Sequence, residues 1–469
     1  MRLRGIFAIA CVLASAATMR AQTLETALAL AEDGYIDQAL SQLDSLVATE
    51  PKNHEALLLQ GQLLWGVGQS DKACNLLEKA RRLGSAGATL ALADIAGRQY
   101  RTDDARALLE TLKPKPKRGR RQAEPAVDTS EVEAFLDRVD DMLTRVEAVK
   151  LVDSVNVSAD DFFRHYRLSP ESGMLVAAES LPQGVSGADG SVAYVPQSRR
   201  QMIWVAPDTA GVNRLMWADA LYGNQWEEPR LLGQALAPDD ADAGYPFMMP
   251  DGITLYYAAD GPESLGGYDI FMSRRTADGF LEPVNLGMPF NSPYNDFMMA
   301  VDEVAGIGWF ASDRNRIPGQ VTVYTYIPAD IRVNVAADDP DLRAKALLLP
   351  AAAAKATASE VAEARKRLAA IGESSDGGSD AADFCIYIPR RGVLTRYSQL
   401  SNNLARQAAK NYVDALAAYR ADCDRLASAR KRYADGDTSR AGEISSLEQR
   451  VAQARGTLTQ LLNQVVEAE

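Results

Sequence analysis

The sequence predicts a multidomain α plus β chain, with an N-terminal α-solenoid, a central run of repeated sheets and a C-terminal antiparallel helical hairpin. Three observations predict it. Small and aromatic residues recur at offsets near 34 between residues 23 and 112, strand-like phrases recur at an offset of 53 to 54 between 170 and 330, and heptad-spaced apolar residues run through 401–469 with one break.

A chain of 469 residues has room for two to four structural units. Residues 1–22 read as a secretory signal: Arg2 and Arg4 precede an apolar stretch from Ile6 to Ala17, and Ala21 closes a small-residue cleavage site. That stretch is too short to span a bilayer, and no later run reaches about 18 apolar residues, so no transmembrane span is expected. Ile9-Ala10-Cys11 is a poor lipidation signal, because Leu is missing three positions before Cys11. The mature chain is therefore expected outside the cytoplasm, in the periplasm or associated with the outer membrane. Its 63 acidic residues against 50 basic ones, a net charge of −13, repel phosphate backbones and exclude nucleic acid as a partner. Cys74, Cys385 and Cys423 are dispersed and form no C-x-x-C, which leaves open one disulfide with a spare thiol or three inert thiols.

Residues 23–112 carry the first repeat. Gly34-Tyr35 with Ala39, Gly68-Gln69 with Ala73, and Gln99-Tyr100 with Ala105 recur, and Ala39, Leu43 and Leu46, then Ala73, Leu76, Leu77 and Ala80, keep helical spacing. Pro51 ends one helix, while Gly61 and Trp65 lie along the next. This pattern resembles the tetratricopeptide repeat family, and the resemblance implies a stacked helical array that binds peptides or partner helices. Residues 113–128, with three prolines and six Lys or Arg, read as a basic extended linker. Residues 129–169 read as one amphipathic helix, with Val132, Phe135, Leu136, Val139, Met142, Leu143 and Val146 on its apolar side, followed by a connector.

In residues 170–330, Trp226-Glu-Glu-Pro-Arg-Leu-Leu-Gly233 matches Phe280-Leu-Glu-Pro-Val-Asn-Leu-Gly287, and Gly252-Ile-Thr-Leu-Tyr-Tyr-Ala-Ala-Asp260 matches Gly306-Ile-Gly-Trp-Phe-Ala-Ser-Asp313. A third, looser copy lies upstream at Gly190 to Trp226. Each copy offers about four short strands, as a propeller blade does. Pro250-Asp-Gly-Ile-Thr-Leu-Tyr-Tyr followed by Gly266-Gly-Tyr-Asp-Ile-Phe-Met-Ser resembles the WD-type or TolB-type β-propeller repeats of exported Bacteroidetes cell-envelope proteins. A ring needs at least about four blades, so the strand pair in 384–400 is expected to complete it and Leu151 to Val157 to add an edge strand, with an open β-sheet stack as the alternative. Residues 331–383 read as an Ala-rich helical insertion ending in a flexible linker.

Residues 401–469 place Ala409, Tyr412, Leu416, Tyr419, Cys423, Leu426, Arg430 and Tyr433 on one heptad stripe and Ile444, Leu447, Val451, Ala454, Leu458, Leu461 and Val465 on another. Two such helices around a Gly-Asp turn predict a coiled-coil hairpin able to self-associate. The OmpA-type peptidoglycan-binding domain with which many such envelope proteins end is not recognisable here.

No nucleophile elbow, phosphate loop or zinc motif is present, so no catalytic, cofactor or metal residue is assigned. His165, beside Asp160 and Asp161, is expected to be a partly buried structural histidine, and Glu227-Glu228 and Asp239-Asp240 are unsuited to glycosidase chemistry because neighbours on a strand face opposite ways. Asp260, Asp269, Asp302 and Asp313 read as turn-capping residues rather than calcium ligands. Tyr256, Tyr257, Trp309 and Phe310 read first as core packing rather than a sugar-binding platform; Tyr35, Trp65, Tyr100, Tyr257 and Trp309 are the candidate ligand or partner surface, should those rings face outward. The reading is a non-enzymatic scaffold that binds other envelope proteins or peptides, as an accessory of surface biogenesis or secretion. Its alternatives are a glycan- or peptide-binding protein that uses the propeller mouth, and an uncharacterised hydrolase.

Overall fold

The computed structural model describes residues 20–113, 127–178, 181, 187–188, 190–221, 226–329, 331–349, 356–374, 386–388, 391–394, 396–434 and 440–469. Most of the expected signal with Cys11, most of the basic linker, and Cys385 lie outside them, as does the side chain of Cys423. Cys74 is a free thiol, raised above its ordinary pKa by burial. The chain is mixed α and β: helices first, antiparallel sheets in the middle, helices last. No helix among the described residues is long and apolar enough to cross a membrane.

Six helices come first: α1 (Arg20–Glu32), α2 (Ile36–Thr49), α3 (His54–Gly66), α4 (Ser70–Arg82), α5 (Ala86–Arg98) and α6 (Thr102–Glu110), each packed on the next. Their small residues set the spacing, since a Cβ on Gly61 would strike the Leu77 side chain. Asn53 and Ser85 cap α3 and α5 by accepting the N–H of Ala56 and Ala88.

The turns correct the expected register. Within the helix pairs α1–α2 and α3–α4, Gly34 and Gly68 stand in the left-handed region at φ 85° and 77°, and within the pair α5–α6 that place belongs to Tyr100 at φ 58°. The residue after each returns its N–H to a carbonyl five positions earlier: Tyr35 to Leu30, Gln69 to Leu64, Arg101 to Ala96. Tyr100 is therefore the counterpart of the two glycines and not of Tyr35. A non-glycine residue in this conformation costs about 1–2 kcal/mol, so burial of its ring has to offset that cost.

Helix α7 (Ser130–Leu143) adds a further layer on α5 and α6, with Arg106 held by Asp137 at 2.8 Å and Asp140 at 2.7 Å. The connector after it becomes β1 (Lys150–Ser158). The first sheet runs β2 (Met174–Ala177), β3 (Val192–Val195), β4 (Gln201–Pro207), β5 (Asn213–Asp219), β6 (Arg230–Leu231). The second joins β7 (Ala243–Met248), β8 (Thr254–Ala259) and β9 (Asp269–Thr276), with β10 (Gly279–Phe280) and β11 (Val284–Asn285) on β9. The third joins β12 (Asp296–Asp302), β13 (Ile307–Ser312) and β14 (Gln320–Ile327), and takes β1 as its fourth strand, antiparallel to β14. β7 packs against the first sheet and β12 against the second, and one apolar core runs through all three.

The 53-residue repeat is visible in backbone chemistry. Tyr245 and Met298, 53 apart, both sit at φ near 55° where the first strand of their sheet bulges. Asp260 accepts the N–H of Asp242, whose carboxylate accepts that of Asn213 in the preceding sheet, at 2.7 and 2.8 Å. Asp313 accepts the N–H of Asn295, whose carboxamide accepts that of Tyr268, at 2.8 and 3.1 Å. One relay thus joins each sheet to the next. Gly266 and Gly267 are glycines because the Pro293 backbone and the Asn295 side chain occupy the space of a Cβ.

The closed propeller is not found. Three sheets stand in series among the described residues, and the pair β15 (Ile386–Ile388) and β16 (Gly392–Leu394) does not complete them. Ile386, Ile388 and Leu394 are instead buried with Ala405, Tyr412, Leu458 and Val465 of α10 (Asn403–Ala434) and α11 (Ala441–Ala468). Those helices run antiparallel, with Arg430 on Glu448 and Arg450 on Asp422, and a second small core lies around Leu426 and Leu447. Arg430 and Tyr433 fall off the expected stripe; Ala429 is buried in their stead. In the insertion, Ala346, on the short helix α8 (Leu342–Ala346), joins the core beneath α7, while α9 (Ala358–Ser374) sends Ala364 into the sheet core and Glu360 to Lys150 at 2.7 Å.

Candidate functional site

The five aromatic residues singled out from the sequence do not converge. Tyr257 and Trp309 are 1% and 2% exposed inside the sheet core, and Tyr257 donates its hydroxyl to the Leu236 carbonyl. Tyr100, fully buried, packs with Leu265 and Met288 where helices meet sheets. Trp65 lies beneath Arg316, whose guanidinium is 3.7 Å from the ring centre and donates to the Trp65 carbonyl at 2.7 Å and Ser70 Oγ at 2.8 Å. Tyr35, half-buried, packs on the first helical core. Four of the five thus face inward and offer a ligand nothing, because large apolar rings fill cores before they decorate surfaces.

His165 is also corrected: it is exposed, while Phe162, Phe163 and Tyr166 beside it enter the core. Glu227 pairs with Arg230, and Asp239 and Asp240 are exposed, so neither acidic pair faces a cleft. Asp302 accepts the N–H groups of Ser169 and Ala305, and Asp269 accepts that of Leu265.

One place where polar and apolar groups converge on open space is the hairpin end of the first two sheets. The β3–β4 turn (Pro196, Gln197, Ser198) and the β7–β8 turn (Met249, Pro250, Gly252) border a cavity of about 220 Å³. Tyr194, Ile203, Leu232, Met248 and Met249 form its apolar wall, and Glu171, Gln197, Gln201, Trp217 and Arg275 its polar one. Asp251 holds the β7–β8 turn by accepting from Ile253 N and Thr254 N at 2.7 and 2.9 Å. Tyr194 donates its hydroxyl to the Ser172 carbonyl, and burial raises its pKa, so it stays neutral.

Trp217 organises the charges. Arg230 lies 4.5 Å and Arg275 5.1 Å from its ring centre. Arg230 is neutralised by Asp219 at 3.1 Å and Glu227 at 2.8 Å. Arg275 has no hydrogen-bond acceptor among the described residues, so its donors remain available to the cavity. A guanidinium stays charged at any ordinary pH and presents its donors in a fixed planar fork suited to carboxylate or phosphate. The sequence carried one signal of this residue. Asp269, Phe271 and Ser273 occupy the inward face of β9, and the period of two puts Arg275 on that face.

The chain matches no family model, no curated protein and no solved structure.

Proposed function

We propose that this chain is a non-enzymatic interaction scaffold of the cell envelope, an exported accessory of surface biogenesis or secretion. Tetratricopeptide-like repeats, TolB-type sheet repeats and a coiled-coil hairpin would be its three binding elements. The observation that supports this best is the junction of the first two. Arg316 grips the end of α3, and Arg98 reaches the Pro293 carbonyl at 2.5 Å, so helices and sheets share a buried seam. A rigid seam lets two binding surfaces hold their partners at a set distance. The C-terminal unit, whose core is its own, adds a third contact or a self-association surface.

The test is cross-linking of the full-length chain in its native envelope, followed by purification. Defined envelope proteins are expected, with at least one lost when residues 386–469 are removed. A chain that fractionates with the cytoplasm, or that yields no cross-linked protein or second copy, overturns the reading.

A second reading, a peptide- or glycan-binding protein, is favoured by the free Arg275 at the mouth of the 220 Å³ cavity. Thermal stabilisation by short peptides or oligosaccharides checks it.

A further inference from the structure

We infer that the cavity at the hairpin end of the first two sheets receives the C-terminal residue of a peptide, with its carboxylate on Arg275 and its apolar side chain against Ile203, Leu232, Met248 and Met249. The inference rests on the reading of this protein as a binder of other chains, and names the part of the partner that it grips.

Size comes first. Pockets that enclose a whole small ligand run to about 300–1,000 Å³, and this one holds about 220 Å³. That space suits one side chain with the rest of its ligand outside. Charge comes second. Arg275 is half-buried and held over Trp217, yet nothing among the described residues accepts its side-chain hydrogen bonds, while the charge of its neighbour Arg230 is matched by two carboxylates at Nη2. Taking a cation partly out of water without a counter-charge is unfavourable, and a ligand carboxylate removes that cost with charge-assisted, bidentate bonds.

The neighbours narrow the class. Glu171, exposed at the rim, places a negative charge beside the cavity and disfavours phosphate and other multiply charged anions. The same carboxylate, with the Gln197 carboxamide, can accept N–H groups, which a peptide carries next to its terminal carboxylate. An acidic sugar would need an open aromatic face for stacking, and the Trp217 ring already carries two guanidinium groups. In a C-terminal residue the carboxylate and the apolar side chain leave the same carbon, which matches a cation set beside two methionines. Methionine adapts its shape to different side chains, so leucine, methionine and phenylalanine termini should all fit.

The test uses the full chain and fluorescein-labelled hexapeptides of glycine and serine ending in leucine, methionine or phenylalanine. Each is prepared as free acid and as C-terminal amide, and binding is read by fluorescence anisotropy. The acids are expected to bind at least ten-fold more tightly than the amides. Arg275→Gln should abolish that difference, and Arg275→Lys should restore part of it, both with unchanged melting temperatures. Equal binding of acid and amide, full acid preference in Arg275→Gln, or displacement of bound peptide by millimolar phosphate or trigalacturonate each overturns the inference. If Arg275→Gln still recovers the cross-linked envelope proteins, this site is refuted as their anchor while the scaffold reading stands. If native chain recovers none but shows the acid preference, the reverse holds.

Discussion

Two arginines beside aromatic rings show how differently one side chain is used in the same stack of sheets. Arg314 is buried, lies 5.7 Å from the Phe310 ring centre and 5.4 Å from that of Tyr324, and spends its donors on Ser312 Oγ, the carbonyls of Pro289 and Phe290, and Asp296 at 2.5 Å. Arg275 shares the aromatic company but has no side-chain acceptor among the described residues. The first fastens the loop before β12 beneath the helices. The second fastens nothing among the described residues. Saturation, not residue type or ring contact, separates a structural cation from one whose donors are unspent.

The comparison breaks most directly at Arg314. Arg314→Met should cost about 3–5 kcal/mol, because the buried Asp296 carboxylate loses its counter-charge; urea unfolding of the purified chain measures it. If the loss is below about 1 kcal/mol, saturation is not what makes Arg314 structural.

Next in size is a pH effect nearby. Burial, and secondly the negative charge of Asp296, push the Asp269 carboxyl up to about 8, against bonds from Leu265, Asn285 and Gly266 that lower it. The folded chain then keeps a proton that the unfolded chain releases near 3.8. Stability contributed by this group is greatest at acid pH, falls as pH rises from about 4 to about 8, and is level above that. Asp269→Asn mimics the protonated form, so its melting temperature should exceed that of the native chain by a margin that widens over this window. A margin constant with pH would refute an elevated Asp269.

Arg316→Ala removes the grip on α3 and the cover over Trp65, and should cost about 1–2 kcal/mol. Hydrogen exchange should quicken in α3 and α4 while β7–β9 keep their protection; uniform quickening would mean that the seam is not a separate unit. Tyr100→Phe discards a buried hydroxyl without a hydrogen-bond partner and should be neutral or stabilising by up to about 1 kcal/mol. A clear loss in its melting temperature would reveal a bonded hydroxyl. Arg275→Gln should leave stability within about 0.5 kcal/mol, which sharpens the contrast with Arg314 if peptide binding changes at the same time.

Much of the local structure was legible in the chain. The period near 34 and the small residues marked the N-terminal helices, and the phrases repeated at 53 to 54 marked two of the sheets, although not the bulges at Tyr245 and Met298 that the two share. The candidate site was less legible. Trp65, Tyr100, Tyr257 and Trp309 stand out as large aromatics, yet that size is what draws them into the core. Arg275 looks ordinary beside Arg274, and its importance depends on which carboxylates come near it.

The sequence by itself determined most of the elements, where helices and strands run and which phrases recur, because periodicity, turn residues and caps act between near neighbours. Tertiary structure alone decided that three sheets stand in series among the described residues, that the 386–394 strand pair joins the terminal helices, that the Tyr100 ring is buried where helices meet sheets, and that Arg275 has no acceptor among the described residues. These outcomes depend on contacts between residues far apart in the chain, where burial and charge are settled by what happens to lie opposite.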